Sequence, residues 1–429
     1  MQRQRLFVAS CISLVTTSMV FAIRGDVAGP MSSAFQITNE QMGLIFSPAF
    51  WAFTIAIFIS GALVDMVGMR ALHVLSAIGY FVGIGLVLVA PHPTAPVGHI
   101  FEHTGTTLLY AGFFVMGLSQ GLVEGVINPL VATIYSDQKT KHLNMLHAWW
   151  PGGLVIGGLT GVAMSAGGLG WQAKLFVVIL PALAVVALSV GIRFPPTERA
   201  AAGVSIGEMF RELLNPLFLV LFCAMFLTAA TELAPGQWVD FALSRTVHMP
   251  GILLLVYVSA LMFVMRHFAG PLVHKLSPIG LLWASCLMGS LGLVALAAAN
   301  SPLTGLLAAT IWGTGVCYMW PTMLATASER FPRGGALLMG LMGTAGTLSI
   351  RFVLPMMGSI YDAKKIEVAG GEAAFAALPA GPELERVLGI AAQTSFRAVA
   401  ILPAALLIVF GAIWLFDRRR GGFRPQKIS

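Results

Sequence analysis

The chain has 429 residues, of which 57% are hydrophobic and only 10% charged. Soluble globular chains carry about 25% charged residues, so the composition excludes an ordinary soluble chain and indicates a polytopic membrane protein. The net charge of +7 sits in short loops and at the termini, with no basic stripe or aromatic platform, which argues against a nucleic-acid partner.

A helix needs roughly 20 apolar residues to cross a bilayer. Twelve segments meet that demand: 6–30, 41–64, 71–90, 106–134, 145–167, 172–193, 215–243, 250–269, 278–299, 303–327, 335–360 and 389–415. The first follows Met-Gln-Arg-Gln-Arg and outruns a signal-peptide core of about 7–15 residues. Arg24 and Asp26 stand where a cleavage site would fall, so it reads as an uncleaved span. Residues 194–214 have an amphipathic look and divide the chain. The expected organisation is an N-terminal six-helix bundle (1–193), a cytoplasmic linker (194–214) and a C-terminal six-helix bundle (215–429). Residues 91–105 and 362–388 read as outside loops, the second rich in Ala, Gly, Pro and Glu and expected to be flexible.

With the N-terminus inside, seventeen Lys and Arg fall in inside segments and five in outside ones. That bias places both termini in the cytoplasm of a multi-pass protein of the cytoplasmic membrane.

Charges inside apolar spans are costly, usually face a cavity or a partner, and mark function. Arg24 and Asp26 are the first such pair. Glu124 lies deep in the fourth span, with Gln120 one turn before it and Asn128 one turn after, on one face. The next span opens with Asn144, His147, Trp149 and Trp150 and then loosens into glycines. Glu232, Gln237 and Trp238 recur in the seventh span. Arg351 lies in mid-span, with no acid within a turn of it. It suits an anion or pairing with Asp26 or Glu124. Arg397 reads as a structural partner. Cys11, Cys223, Cys286 and Cys317 lie in apolar spans without metal or disulfide spacing and read as packing residues. His99-Ile-Phe-Glu102-His103 spells an inverted zinc-peptidase pattern, but it sits in a short loop, and no metal site is expected.

The halves echo each other weakly. Gly61-Ala-Leu-Val-Asp65 returns as Gly270-Pro-Leu-Val-His, and Asn128-Pro129 as Trp320-Pro321. Two repeated six-helix halves imply a rocking transporter with its site at their interface near mid-membrane.

Gly61, Asp65, Gly68 and Arg70, between the second and third spans, resemble the signature loop of the major facilitator superfamily. Closer features are similar to its fucose:proton symporter family. They are Asp26 with Pro30 and Ala34-Phe35-Gln-Ile-Thr38-Asn39, Gly121-Leu-Val-Glu124 with Asn128-Pro129, and Leu143-Asn144 with Gly153. Glu232 with Gly236 and Trp238, Trp320-Pro321-Thr322, and Pro355 to Gly358 ending at Asp362 complete the pattern. The resemblance implies an all-α polytopic fold, twelve transmembrane helices in two pseudo-symmetric six-helix bundles, with Asp26 and Glu124 as the proton-coupled acids. Arg24, Trp150 and Arg351 depart from the family pattern, and they suggest a cavity retuned for something flatter or more negative.

The expected function is secondary active transport of a small polar solute, a sugar or sugar-derived acid, by alternating access with proton symport. The alternative is an exporter or facilitator of another small organic solute or anion on the same fold. Expected substrate-binding residues are Arg24, Gln120, Asn128, Asn144, His147, Trp150, Glu232, Gln237, Trp238 and Arg351. The expected partners are the solute, protons and the lipid bilayer, with no cofactor, no enzymatic activity and a monomeric state.

Overall fold

A computed structural model describes residues 2–243, 247, 249 and 251–428; for 237–243, 251 and 252 it describes the backbone alone. Among the described residues every regular element is helical. Ten of these helices are long and apolar enough to cross a membrane. The glycine-rich helix Trp149–Ala166 and the shorter apolar helix Leu253–His267 lie where the fifth and eighth spans are expected. The chain divides into two compact units.

One unit comprises Met1–Leu214, Ser328–Thr344 and Lys427–Ser429. Its helices are α1 (Gln2–Ala34), α2 (Asn39–Val67), α3 (Met69–Leu88), α4 (Thr104–Ile134), α5 (Lys139–His147), α6 (Trp149–Ala166), α7 (Trp171–Phe176), α8 (Ile179–Ser189), α9 (Glu198–Ala201) and α10 (Ile206–Arg211). α4 packs against both α2 and α3, and α1 packs against α6.

Local chemistry explains several boundaries in this unit. Thr38 caps α2: its hydroxyl accepts from the Gln41 backbone N–H, and the Gln41 side chain accepts from the Thr38 backbone N–H. α2 stops at Gly68, whose φ of +91° suits only glycine. His103 caps α4 by accepting from the Gly105 backbone N–H. Glu102 accepts from the His99 backbone N–H. The inverted zinc pattern therefore serves a turn and a helix cap. Among the described residues no three metal-ligating side chains converge.

The α1–α6 contact is a close approach of backbones. Gly153, Gly157 and Gly161 recur every fourth residue and so share one face of α6. A Cβ on Gly153 would lie 2.0 Å from Ser18 Oγ, and one on Gly157 3.0 Å from Met19 Cα. Where lipid removes the hydrophobic drive between helices, such small-residue seams supply the packing.

The other unit comprises Asn215–Ala327 and Ala345–Gln426. It holds α11 (Pro216–Leu243), α12 (Gly251–His267), α13 (Ala269–Ala298), α14 (Pro302–Val316), α17 (Glu372–Ala376) and α18 (Pro382–Arg419). α15 (Met319–Arg330) and α16 (Gly335–Ala369) contribute to both units. α13 packs against α14 and α18. The expected break before residue 278 is a kink within a helix that already starts at Ala269. Ser277 takes φ +64° there, and Pro278 has no N–H to continue the ladder. Ser301 and Thr304 form a capping box on α14, with Pro302 in its first turn.

The stretch 362–388 differs from its expected flexible loop. α16 runs on to Ala369, α17 follows, and α18 begins at Pro382. Lys364–Glu367, Lys365–Asp362 and Arg386–Glu383 ion pairs at i,i+3 spacing support these extensions.

Candidate functional site

The polar centre of the first unit is built on α4. Glu124 is only 5% exposed. Asn128, one turn on, donates through Nδ2 to Glu124 Oε2 at 2.8 Å and to the Glu124 carbonyl at 2.8 Å. Its Oδ1 lies 2.8 Å from His147 Nε2. An amide oxygen only accepts, so Nε2 carries the proton toward it. Glu124, Asn128 and His147 thus form one hydrogen-bonded chain between α4 and α5. One turn the other way, Gln120 Nε2 reaches the Thr17 carbonyl at 3.5 Å, and the Thr17 hydroxyl lies 2.8 Å from Tyr80 Oη. Among the described residues no cation pairs with Glu124.

Two further expected members make other contacts. Asn144 donates to the Thr140 carbonyl of its own helix. Trp150 packs edge-on against Phe21, 5.2 Å between ring centres.

Asp26 meets neither Glu124 nor Arg24. Its Oδ2 lies 2.5 Å from Lys174 Nζ of α7, which also donates to Ser165 Oγ at 2.6 Å. Lys174 reads from sequence as an outside-loop cation; it is buried. Arg24 is 6% exposed, and its guanidinium sits against the rings of Phe21, Phe46 and Phe50.

In the signature loop, Asp65 takes its partner from the segment after α8. Arg199 donates to Asp65 Oδ2 from Nε at 2.7 Å, and its second terminal nitrogen lies 2.6 Å away. The Thr197 hydroxyl donates to Oδ1. Gly61 permits contact with α16: a Cβ there would lie 2.9 Å from the Ala336 carbonyl oxygen. Arg70 is exposed. A second polar cluster, not singled out from sequence, joins Lys139 to Glu198 at 2.5 Å and Thr140 to Glu329 at 2.8 Å. Buried His73, 2.7 Å from Ser13 Oγ, was also not singled out. A polar residue amid an apolar run was the one available signal.

In the second unit Glu232 Oε1 pairs with Arg266 at 3.0 Å, and Arg266 Nε donates to the Cys317 carbonyl at 2.6 Å. From sequence Arg266 counts among the inside-loop cations; it is 1% exposed. Arg351 and Arg397 are exposed. The side chains of Gln237 and Trp238 lie outside the described residues. Cys11, Cys286 and Cys317 are buried free thiols, and Cys223 is an exposed one. A groove of about 500 Å³ lined by Leu88, Met164, Phe176 and Leu180 contains none of these polar groups.

Among the described residues an all-helical architecture with acids and cations held inside long apolar helices is that of a multi-pass membrane protein. The Major Facilitator Superfamily model matches residues 6–353. The chain belongs to that superfamily. Among solved structures it is similar to the E. coli fucose:proton symporter FucP, with a TM-score of 0.70 and 16% identity over 93% of this chain and 97% of that one. It is also similar to the proton:xylose symporter XylE bound to 6-bromo-6-deoxy-D-glucose, with a TM-score of 0.71 and 13% identity over 95% of each. The human organic anion transporter MFSD10 gives a TM-score of 0.68 and 12% identity over 95% of this chain and 99% of that one. No curated protein sequence matches.

Proposed function

We propose that the chain is a secondary active transporter that moves a small polar solute, a sugar or sugar-derived acid, by alternating access and proton symport. It works as a monomer in the cytoplasmic membrane with both termini inside. Glu124 carries this reading. It is a carboxyl buried in a membrane helix, without a cation beside it, and hydrogen-bonded to Asn128. Holding such a charge in a span is costly, and taking up a proton removes the charge. The Asn128–His147 arm gives the group polar neighbours through which solute occupancy can be sensed. Asp26 is the second acid, its charge shared with Lys174. The similarity to a fucose:proton symporter and to a proton:xylose symporter supports the substrate class and the coupling.

The test is flux in proteoliposomes under an imposed inward proton gradient, with labelled L-fucose, D-xylose and D-glucuronate. The wild type accumulates one of them above equilibrium. Glu124→Gln exchanges it across the membrane but does not accumulate it. Accumulation by Glu124→Gln equal to wild type would sink the coupling role.

A further inference from the structure

Arg24 is a buried charge that nothing in the coupling scheme uses. Its NH1 is buried and has no hydrogen-bond partner. The acid two residues away, Asp26, is taken by Lys174. What surrounds the guanidinium is aromatic: its carbon lies 4.2 Å from the Phe50 ring centre, 4.5 Å from that of Phe21 and 5.7 Å from that of Phe46. Phe21 extends this wall to Trp150 at 5.2 Å and to Phe53 at 6.3 Å.

Energetics separate a structural arginine from a binding one. Holding a guanidinium within a span is costly, and contacts with aromatic faces return only part of that cost. The remaining cost is normally met by an acid or by snorkelling to the interface. Arg24 has no acid and is not at the surface, so NH1 is left for an anion. Arginine presents its donors in a plane that suits a carboxylate.

We propose that Arg24 and its aromatic wall recognise a small monocarboxylate with a flat, apolar body. This inference rests on the reading of the chain as a solute transporter and, in place of a sugar, takes up the alternative solute class, a small organic anion. The wall offers one ionic group and several ring faces, whereas a sugar ring requires many hydrogen-bonding groups. The site is also separate from the buried proton acid Glu124. Arg24 lies seven residues along α1 from Thr17, whose carbonyl Gln120 contacts, and Glu124 lies one turn beyond Gln120. At 1.5 Å per residue the two charged groups are about 16 Å apart along the bundle. Solute charge and proton therefore do not compete for one group.

The experiment is equilibrium binding to the purified full-length protein in nanodiscs, with sodium benzoate, neutral benzamide and L-fucose as probes. Benzoate binds at least tenfold tighter than benzamide. Arg24→Gln loses benzoate at least tenfold, and Arg24→Lys recovers part of the loss. Benzoate failing to bind the wild type, benzamide matching it, or Arg24→Gln retaining wild-type benzoate affinity overturns the proposal. L-fucose binding tighter than benzoate and indifferent to Arg24→Gln overturns it as well. The benzoate–benzamide comparison uses only wild-type protein, so it decides the matter even where a variant misfolds. Arg24-dependent benzoate binding without proton-driven flux upholds this site and sinks the coupling reading instead.

Discussion

Lys174 Nζ lies 2.5 Å from Asp26 Oδ2, although 148 residues separate the two in sequence. The pair joins α7 to α1, and Ser165 takes a second hydrogen of the same ammonium. Asp26 is partly exposed while Lys174 is buried, so removing the acid leaves the worse remainder. Breaking a fully buried pair costs about 3–5 kcal/mol, and partial exposure reduces that to about 1–3 kcal/mol here. Asp26→Asn and Lys174→Met each lower the thermal midpoint in detergent. A double-mutant cycle over the two returns a coupling of at least about 1 kcal/mol. Additive losses would show that the pair does not hold α7 to α1.

Asn128 is the hinge between the acid and the imidazole. It donates to Glu124 and accepts from His147. Asn128→Leu fits the volume but removes the hydrogen bonds to Glu124 and His147. An unsatisfied buried group costs about 1–3 kcal/mol. Solute exchange by this variant falls at least tenfold while expression and monodispersity persist, as read by counterflow and size-exclusion chromatography. The companion His147→Gln keeps a donor and a similar length, and it retains more exchange than Asn128→Leu. Equal losses in the two variants would place the essential contact elsewhere.

The Glu232–Arg266 pair predicts a contrast between single and double variants. Both groups are largely buried, and Arg266 also donates to the Cys317 carbonyl. Glu232→Leu alone takes this carboxylate away from a buried guanidinium and costs about 3–5 kcal/mol. Glu232→Leu combined with Arg266→Met removes both charges and recovers most of that loss, as buried ion pairs replaced by apolar side chains often do. The measurement is thermal unfolding of the three proteins side by side. A double variant as unstable as Glu232→Leu would assign the damage to lost packing instead.

The spans were legible in the sequence because a bilayer imposes one rule, about 20 apolar residues in a helix. Glu124 was legible for the same reason: an acid in such a run has no casual explanation. Its neighbours Gln120 and Asn128 followed from helical spacing alone. Partners across the fold were not legible. Lys174 and Arg266 sit near predicted span ends, where a cation reads as topology, yet each is buried against an acid on another helix. Local hydropathy carries no record of such pairings. Residues 362–388 misled in the opposite sense. Their charges suggest a loop, but three i,i+3 pairs make them helical ends. The aromatic wall of Arg24 draws on two helices, α1 and α2, and becomes visible only when these are packed together.

The signature loop yields the last prediction. Asp65 Oδ2 accepts from Arg199 Nε, a terminal nitrogen of the same guanidinium lies 2.6 Å from that oxygen, and the Thr197 hydroxyl donates to Oδ1, with both acidic and basic side chains almost fully buried. A charge-assisted hydrogen bond from a guanidinium to a carboxylate is among the stronger ones. Lysine cannot place a donor at Nε, since its ammonium is a point charge at the end of the side chain. Arg199→Lys therefore keeps the charge but loses the Nε contact, and it destabilises by about 1–2 kcal/mol. Asp65→Ala leaves the guanidinium buried and unpaired and destabilises by about 3–5 kcal/mol. Limited proteolysis reads the same difference locally. Cleavage within 194–214 accelerates most in Asp65→Ala, less in Arg199→Lys and least in wild type. Equal cleavage rates in all three proteins would mean that this ion pair does not anchor the segment after α8.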